Sequence, residues 1–420
     1  MKSLLQFKFN EFVLWFIYLC FFASSIYEPE TGKYLLVMVL IVNIFLMYKH
    51  RMNQVILIML IFTSTYWMYM LFYYFEDIIY SSYMNLQTLE NTNGTLRVTS
   101  FFMFLFFQNI KLSDQINIRD KMINHKNSLI FFISTAVMLT IMFYSYSGEN
   151  IFNAVYGDTT TNSTIFEYYF IFALAAQIYS GTNVRKKILF VINILYVFSI
   201  LLLGLRLVVL QLLLMIFIFY FENKFKTRWV FLSSIGAFIM MSALSVMRSR
   251  EINSFNEIFG VRNGTLYTNQ GDVFLTSTVH YGLIQNGYLD LTTRLNSLFA
   301  FFQNIFLTSE NQLTIGILNK YIYPDYLVGG GGFGAMYAYV WLGYFGVIGL
   351  VYYITYFINN INSGNNFTIY GVFLLITFFR WYSYSLPVVF KMGFYLFIAF
   401  GMLKIINLIV KKKEINAINN

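Results

Sequence analysis

A succession of membrane-length apolar runs governs what this chain can fold into. A helix needs roughly 20 mainly apolar residues to cross the hydrocarbon core of a bilayer. The sequence supplies such blocks at residues 10–27, 34–48, 55–75, 96–112, 128–147, 165–183, 188–204, 207–222, 229–247, 334–357, 367–382 and 388–410. With no water in the core, backbone N–H and C=O groups must be satisfied within each segment, so blocks of this length cross as helices. The charge content agrees: 11% of residues are charged and 58% hydrophobic, where a soluble domain carries about a quarter charged. The pattern predicts an all-α polytopic membrane protein of about twelve transmembrane helices. Residues 1–27 read as an uncleaved first span, because a second apolar block follows within a few residues.

The basic residues set the orientation. With the N-terminus inside, the cytoplasmic loops hold Lys49, Arg51, Lys111, Arg119, Lys121, Lys126, Arg185, Lys186, Lys187, Lys224, Lys226, Arg228 and Lys411 to Lys413. The opposite loops between the early spans carry only Lys33 and Arg97, beside Glu28, Glu30, Glu76, Asp77 and Glu90. The asymmetry places both termini in the cytoplasm. It also turns the net charge of +9 into a topology signal, and no nucleic-acid partner is expected. Three segments follow: spans one to nine over residues 1–247, a large extracytoplasmic loop over 248–333, and spans ten to twelve with a cytoplasmic tail over 334–420. The single cysteine, Cys20, excludes a disulfide framework and a cysteine metal cluster.

The long loop and its flanks carry the chemistry. Arg206 sits at the outer end of a tight hairpin through Gly204-Leu205-Arg206, Arg248 and Arg250 close span nine, and Arg380 and Lys391 flank Pro387 around the last outer turn. Any one of these cations is explained by snorkelling to headgroups or by capping a helix. Five at one membrane face point to an anionic ligand, and arginine's planar fork suits phosphate. At about 4 Å and an effective dielectric near 20, each cation–phosphate contact contributes on the order of 4 kcal/mol before desolvation. Two or three would hold a pyrophosphate without a metal. His280, in Ser277-Thr278-Val279-His280-Tyr281-Gly282, is the candidate base for a sugar hydroxyl. A hydrogen-bonded surface histidine is the alternative, and Glu251 and Asp290 are the reserve bases. His50 and His125 read as solvated. Residues 295–308 place Leu295, Leu298, Phe299, Phe302, Ile305 and Phe306 at helical spacing, too short to cross and suited to a short interfacial helix. Gly329 to Gly332 lead into span ten, where Gly334, Gly343, Gly346 and Gly349 would let another helix or a lipid chain come close.

These features resemble the O-antigen polymerase (Wzy-type) family of bacterial inner membranes. Gly204-Leu205-Arg206, Arg248-Ser249-Arg250-Glu251 and Gly329 to Gly332 carry the likeness, together with the run Tyr337-Ala338-Tyr339-Val340-Trp341-Leu342-Gly343-Tyr344-Phe345-Gly346. The resemblance implies a GT-C-like architecture with its large loop in the periplasm. It implies a metal-independent, lipid-diphosphate-dependent glycosyltransferase that joins undecaprenyl-diphosphate-linked oligosaccharides, with no cofactor. The implied partners are those lipid-linked glycans, membrane lipids and a chain-length regulator, and the implied pyrophosphate-binding residues are Arg206, Arg248, Arg250, Arg380 and Lys391. A flippase for the same lipid-linked sugar and an O-antigen ligase are the rival readings.

Overall fold

The computed structural model describes residues 2–76, 86–112, 127–144, 163–202, 205–222, 224–249, 261–262, 265–266, 268–307, 311–323, 325–326, 331–363, 366–384 and 386–419. These residues are helical apart from connecting turns and one antiparallel ladder that pairs Val261 with Leu266 and Arg262 with Thr265. The helices are α1 (Lys2–Tyr27), α2 (Gly32–Lys49), α3 (Gln54–Glu76), α4 (Leu89–Asn109), α5 (Ser128–Tyr144), α6 (Ser163–Tyr179), α7 (Asn183–Leu202) and α8 (Arg206–Ile216). They continue with α9 (Thr227–Ser249), α10 (Asn269–Gln285), α11 (Leu291–Phe306), α12 (Leu318–Ile322), α13 (Gly334–Asn359), α14 (Asn366–Ile376), α15 (Phe378–Ser383) and α16 (Leu386–Asn419).

Among the described residues, four helical stretches are long and apolar enough to cross a membrane: Pro29–Lys49, Gln54–Glu76, Gly334–Ser363 and Leu386–Ile409. Shorter apolar helices accompany them, including Glu11–Tyr27, Ser128–Tyr144 and Thr227–Met240. Large apolar side chains such as Phe12, Ile44, Phe132, Phe198 and Phe345 stand exposed, the surface of a protein whose solvent is hydrocarbon. The chain is a helical, membrane-embedded protein.

The chain forms two compact units, and both are assembled from separated stretches. The first comprises residues 1–110, 225–353 and 382–385; the second comprises 111–224, 354–381 and 386–420. The core of the first is an aromatic cluster in which Tyr66 meets Phe274, Phe333 and Tyr382 with ring centroids 5.2–6.2 Å apart. Such edge-on pairs add to plain burial because the rim of one ring meets the electron-rich face of the next. In the second unit Tyr169 stacks on Tyr196 at 3.9 Å and donates to Asn193 at 2.7 Å. Helices of the long loop, α10 and α11, belong to the first unit.

Two elements depart from what hydropathy predicts. Helix α4 begins at Leu89, seven residues before the apolar block, because Thr88 caps it by accepting from the Asn91 N–H at 3.2 Å. Its polar first half is buried: Asn91, Thr92, Asn93, Thr95 and Arg97 all lie inside. Thr95 and Thr99 return their hydroxyls to carbonyls one turn back, at 3.1 and 2.7 Å, so the burial leaves few polar groups unmet. Helix α13 is broken at Leu342 and Gly343, where Gly343 takes φ 62° and ψ −147°, a combination essentially confined to glycine. The first half of the helix then lies back on the second: a Cβ at Gly346 would stand 2.1 Å from the Ala338 carbonyl oxygen. At these positions the glycines expected to admit a foreign helix or lipid serve the chain's own fold.

Helix α11 is the short amphipathic helix expected over residues 295–308. It starts earlier because the Asp290 carboxylate accepts from the Thr293 N–H at 2.8 Å and caps it. Ser297, Ala300, Phe301 and Asn304 face inward, while Leu291, Phe299, Phe302 and Phe306 face out. A water-soluble helix is turned the other way round. On its inner side Ser297 accepts from the Trp341 indole at 3.2 Å, and Arg294 donates to the carbonyls of Val340 and Tyr339. Those carbonyls lie just before the break in α13, so the guanidinium braces the helix where its backbone leaves the helical course.

Candidate functional site

Within the first unit, α4, α10 and the first half of α13 bring three kinds of polar group together. Helix α10 is not one of the membrane-length apolar helices; its Thr276 to Tyr281 stretch is polar in sequence yet buried. Thr268 caps it by accepting from Gly271 N–H at 3.0 Å. Ser277 then accepts from the Phe333 backbone N–H at 2.9 Å, satisfying a donor at the start of α13 that has no partner within the helix. One turn on, the His280 ring lies edge-on to Tyr337 at 5.7 Å.

His280 is fully buried, and neither ring nitrogen has a hydrogen-bond partner among the described residues. The hydroxyls of Thr276 and Thr278 beside it are also unpartnered. Each such group costs about 1–3 kcal/mol when buried without a partner, so a set of them in one place marks a spot that a water or a ligand would complete. Burial pushes the imidazole down to about 4, because a cation is poorly solvated there. The ring is therefore neutral near pH 7, with one nitrogen free to accept a proton. Gly332 passes over it: a Cβ there would stand 3.1 Å from Ser277 Oγ and 3.5 Å from His280 Nδ1. At Gly331 a Cβ would meet the Tyr384 carbonyl at 2.4 Å. The glycine run thus threads a slot that side chains would close.

Tyr281, next to His280, faces α4. Its hydroxyl accepts from Arg97 Nη2 at 3.2 Å, its ring stacks on Tyr339 at 5.8 Å, and it fills the space over Gly94, where a Cβ would lie 2.2 Å from the ring. Arg97 also donates to the Ser25 carbonyl at 2.5 Å, and it meets no carboxylate among the described residues. A buried cation held by neutral carbonyl, hydroxyl and phenol oxygens keeps its positive field in the unit that holds the histidine. Sequence reasoning passed over Arg97 as an outer-loop marker. The available signal was a lone arginine at helical spacing from Asn93, Gly94 and Ser100, where an ionisable residue inside a membrane protein is a site candidate by default.

The residues predicted from sequence fall in both units. His280, Asp290 and Arg248 belong to the first; Arg206, Arg380 and Lys391 belong to the second. Arg206 opens α8, Arg248 lies in the last turn of α9, and Lys391 lies in the second turn of α16. Arg380 is tied to Glu167 at 2.9 Å, with its own Nε and the second Glu167 oxygen unpartnered among the described residues. Asp290 is exposed and spends its carboxylate on the α11 cap, a hydrogen bond that holds it below the usual carboxylate range; this favours the ionised form and makes it a weak base. Arg250, Glu251, Gly204, Gly329 and Gly330 lie outside the described residues. His50, read as solvated, bonds the Phe107 carbonyl at 3.0 Å. No known family model, curated protein or solved structure matches the chain.

Proposed function

We propose that this chain is a metal-independent glycosyltransferase that polymerises a bacterial surface polysaccharide from undecaprenyl-diphosphate-linked repeat units. The observation that carries the reading is His280: a buried, neutral imidazole whose ring nitrogens have no hydrogen-bond partner among the described residues, beneath Gly332 and in the same unit as the arginine-bearing helix α4. In the reaction, the acceptor sugar hydroxyl attacks the anomeric carbon of the donor glycan. The new C–O bond forms as the bond to the lipid diphosphate breaks, the hydroxyl proton passes to His280, and the departing diphosphate carries the negative charge. Arg248, which belongs to the same unit as His280, and Arg250 neutralise that charge, which lowers the barrier as it builds. Lys391 holds the diphosphate of the second lipid, and Arg380 would join it only by leaving its ion pair with Glu167. The large loop covers the acceptor, so that a sugar hydroxyl rather than water reacts.

The same proposal sets the chain in the inner membrane with about twelve spans, a GT-C-like arrangement, both termini cytoplasmic and the loop periplasmic. Helix α11 then lies on the outer leaflet with its outward apolar side chains in lipid, and a chain-length regulator is an expected partner. A carrier for the same lipid-linked glycan is the second reading, favoured by the break in α13, since interrupted helices build substrate sites in transporters. Proteoliposomes loaded with synthetic lipid-linked repeat unit separate the two. A ladder of lengthening products supports the polymerase, whereas translocation without lengthening overturns it. Transfer of a single glycan to a lipid A core acceptor would identify a ligase. If His280→Ala polymerised at full rate, the base would be sought at Glu251 and Asp290.

A further inference from the structure

A groove of about 750 Å³ runs along α3 in the first unit, between α2 and α9. Its walls include Met47, Met68, Phe72 and Phe238. Ser64 and Thr65 also line it, but their hydroxyls turn back to the carbonyls of Leu60 and Phe62, each at 2.7 Å. Beyond them the polar side chains of the wall are Tyr69 and, at the far end of α3, the exposed carboxylate of Glu76. From Ile61 to Glu76 the groove follows about 22 Å of helix at about 1.5 Å per residue. One leaflet of the hydrocarbon core is only about 15 Å deep, half of about 30 Å. An ordinary phospholipid tail ends near the midplane and leaves part of the groove empty.

The polar end points toward the C-terminal end of α9, the helix that carries the predicted cation Arg248. Gln54 at the start of α3 donates to the Phe225 carbonyl at 2.7 Å, and Phe62 meets Phe238 further along at 5.4 Å. Helices α3 and α9 therefore run in the same direction, and the last turn of α9, which carries Arg248, lies at the Glu76 end.

We infer that this groove receives the hydrocarbon tail of the lipid diphosphate, a single isoprenoid chain longer than one leaflet. The identity of the head rests on the function proposed above, while the fit of the tail rests on the length and chemistry of the groove. The glycines of α13, which the break occupies, are not required as the tail's entrance.

The test uses the full chain in nanodiscs and a polyisoprenyl diphosphate with a photoactivatable group near its tail end. Cross-links should map to residues 61–75 of α3 and 231–239 of α9, and be competed by unlabelled polyisoprenyl diphosphate but not by excess bilayer phospholipid. Thr65→Trp and Met68→Trp, which fill the groove, should remove most of the labelling. Ile44→Trp, on an exposed part of α2 outside the groove, should leave it unchanged and serves as the folding control. Glu76→Gln should increase labelling, since it removes a like charge from the diphosphate end. Labelling elsewhere, equal competition by phospholipid, or weaker labelling of Glu76→Gln would overturn the assignment. Groove labelling in a protein that makes no polymer would sink the enzymatic reading and leave the groove assignment standing. Normal polymerisation of full-length lipid substrate by the filled variants would do the reverse.

Discussion

Replacing His280 by leucine should make the protein more stable and less sensitive to acid while destroying its activity. The ring is buried with two unpartnered nitrogens, each worth about 1–3 kcal/mol of penalty. Leucine removes both and gives up the edge-on contact with Tyr337, worth about 0.5–1.5 kcal/mol, so stabilisation wins at neutral pH. Acid adds a second, larger difference. The unfolded chain binds the imidazole proton near 6.5, and the folded chain only near 4. Between those values the proton favours the unfolded state, so stability present above pH 6.5 drains away as the pH falls toward 4. At about 1.4 kcal/mol per pH unit the loss amounts to about 3 kcal/mol. Unfolding of wild type and His280→Leu in mixed micelles, followed by tryptophan fluorescence from pH 7.5 to 4.5, measures the gap directly. It should widen by about that amount as the pH falls. A constant gap would mean that the imidazole is hydrated or paired, and the case for an open neutral base would be lost.

Three further outcomes follow from the same geometry. Arg97→Met and Tyr281→Phe should each destabilise, and a double-mutant cycle should give a coupling of about 1.5–3 kcal/mol, the range for a hydrogen bond from a charged donor; a coupling near zero would remove the link between α4 and α10. Gly346→Ala should be worse than Gly343→Ala when both are scored by thermal unfolding. The first drives a methyl into a backbone oxygen 2.1 Å away, while the second meets nothing within 4 Å and pays only backbone strain of about 1–3 kcal/mol. Asp290→Ala should cost about 1 kcal/mol of stability through the lost cap with the rate of glycan transfer intact, and a rate collapse would restore Asp290 as a candidate base.

The parts legible in sequence were those that hydropathy alone decides. Helices α2 and α3 and the apolar part of α16, Leu386–Ile409, came out near their predicted limits because their runs are apolar on every side, while α16 itself continues through its charged tail to Asn419. Helix α4 did not, since Asn91 to Thr95 score as loop until their partners are known: Asn93 bonds the Pro29 carbonyl at 2.6 Å, far away in the chain. His280 was found as the lone histidine of the long loop, but its burial was hidden because Thr276 to Gly282 shows no apolar periodicity. Of the glycines of α13, Gly346 meets the chain's own Ala338 carbonyl, while a Cβ at Gly343 or Gly349 would have nothing within 4 Å; a glycine announces room for close approach without saying what approaches. Arg380 was read as free for phosphate, and its partner Glu167 could not be matched to it across more than two hundred intervening residues. The division into two interleaved units has no sequence signature, since each draws on distant stretches with similar hydropathy.

The central claim is that His280 takes the proton from the acceptor sugar. Its most direct measurement is the single-turnover rate of glycan transfer between two purified lipid-linked repeat units, wild type against His280→Ala, with binding of the lipid diphosphate measured in parallel. The account predicts a loss of about 10²–10⁴-fold in rate, the span usual for a general base, with binding unchanged. An unchanged rate, with the same product ladder, would contradict it.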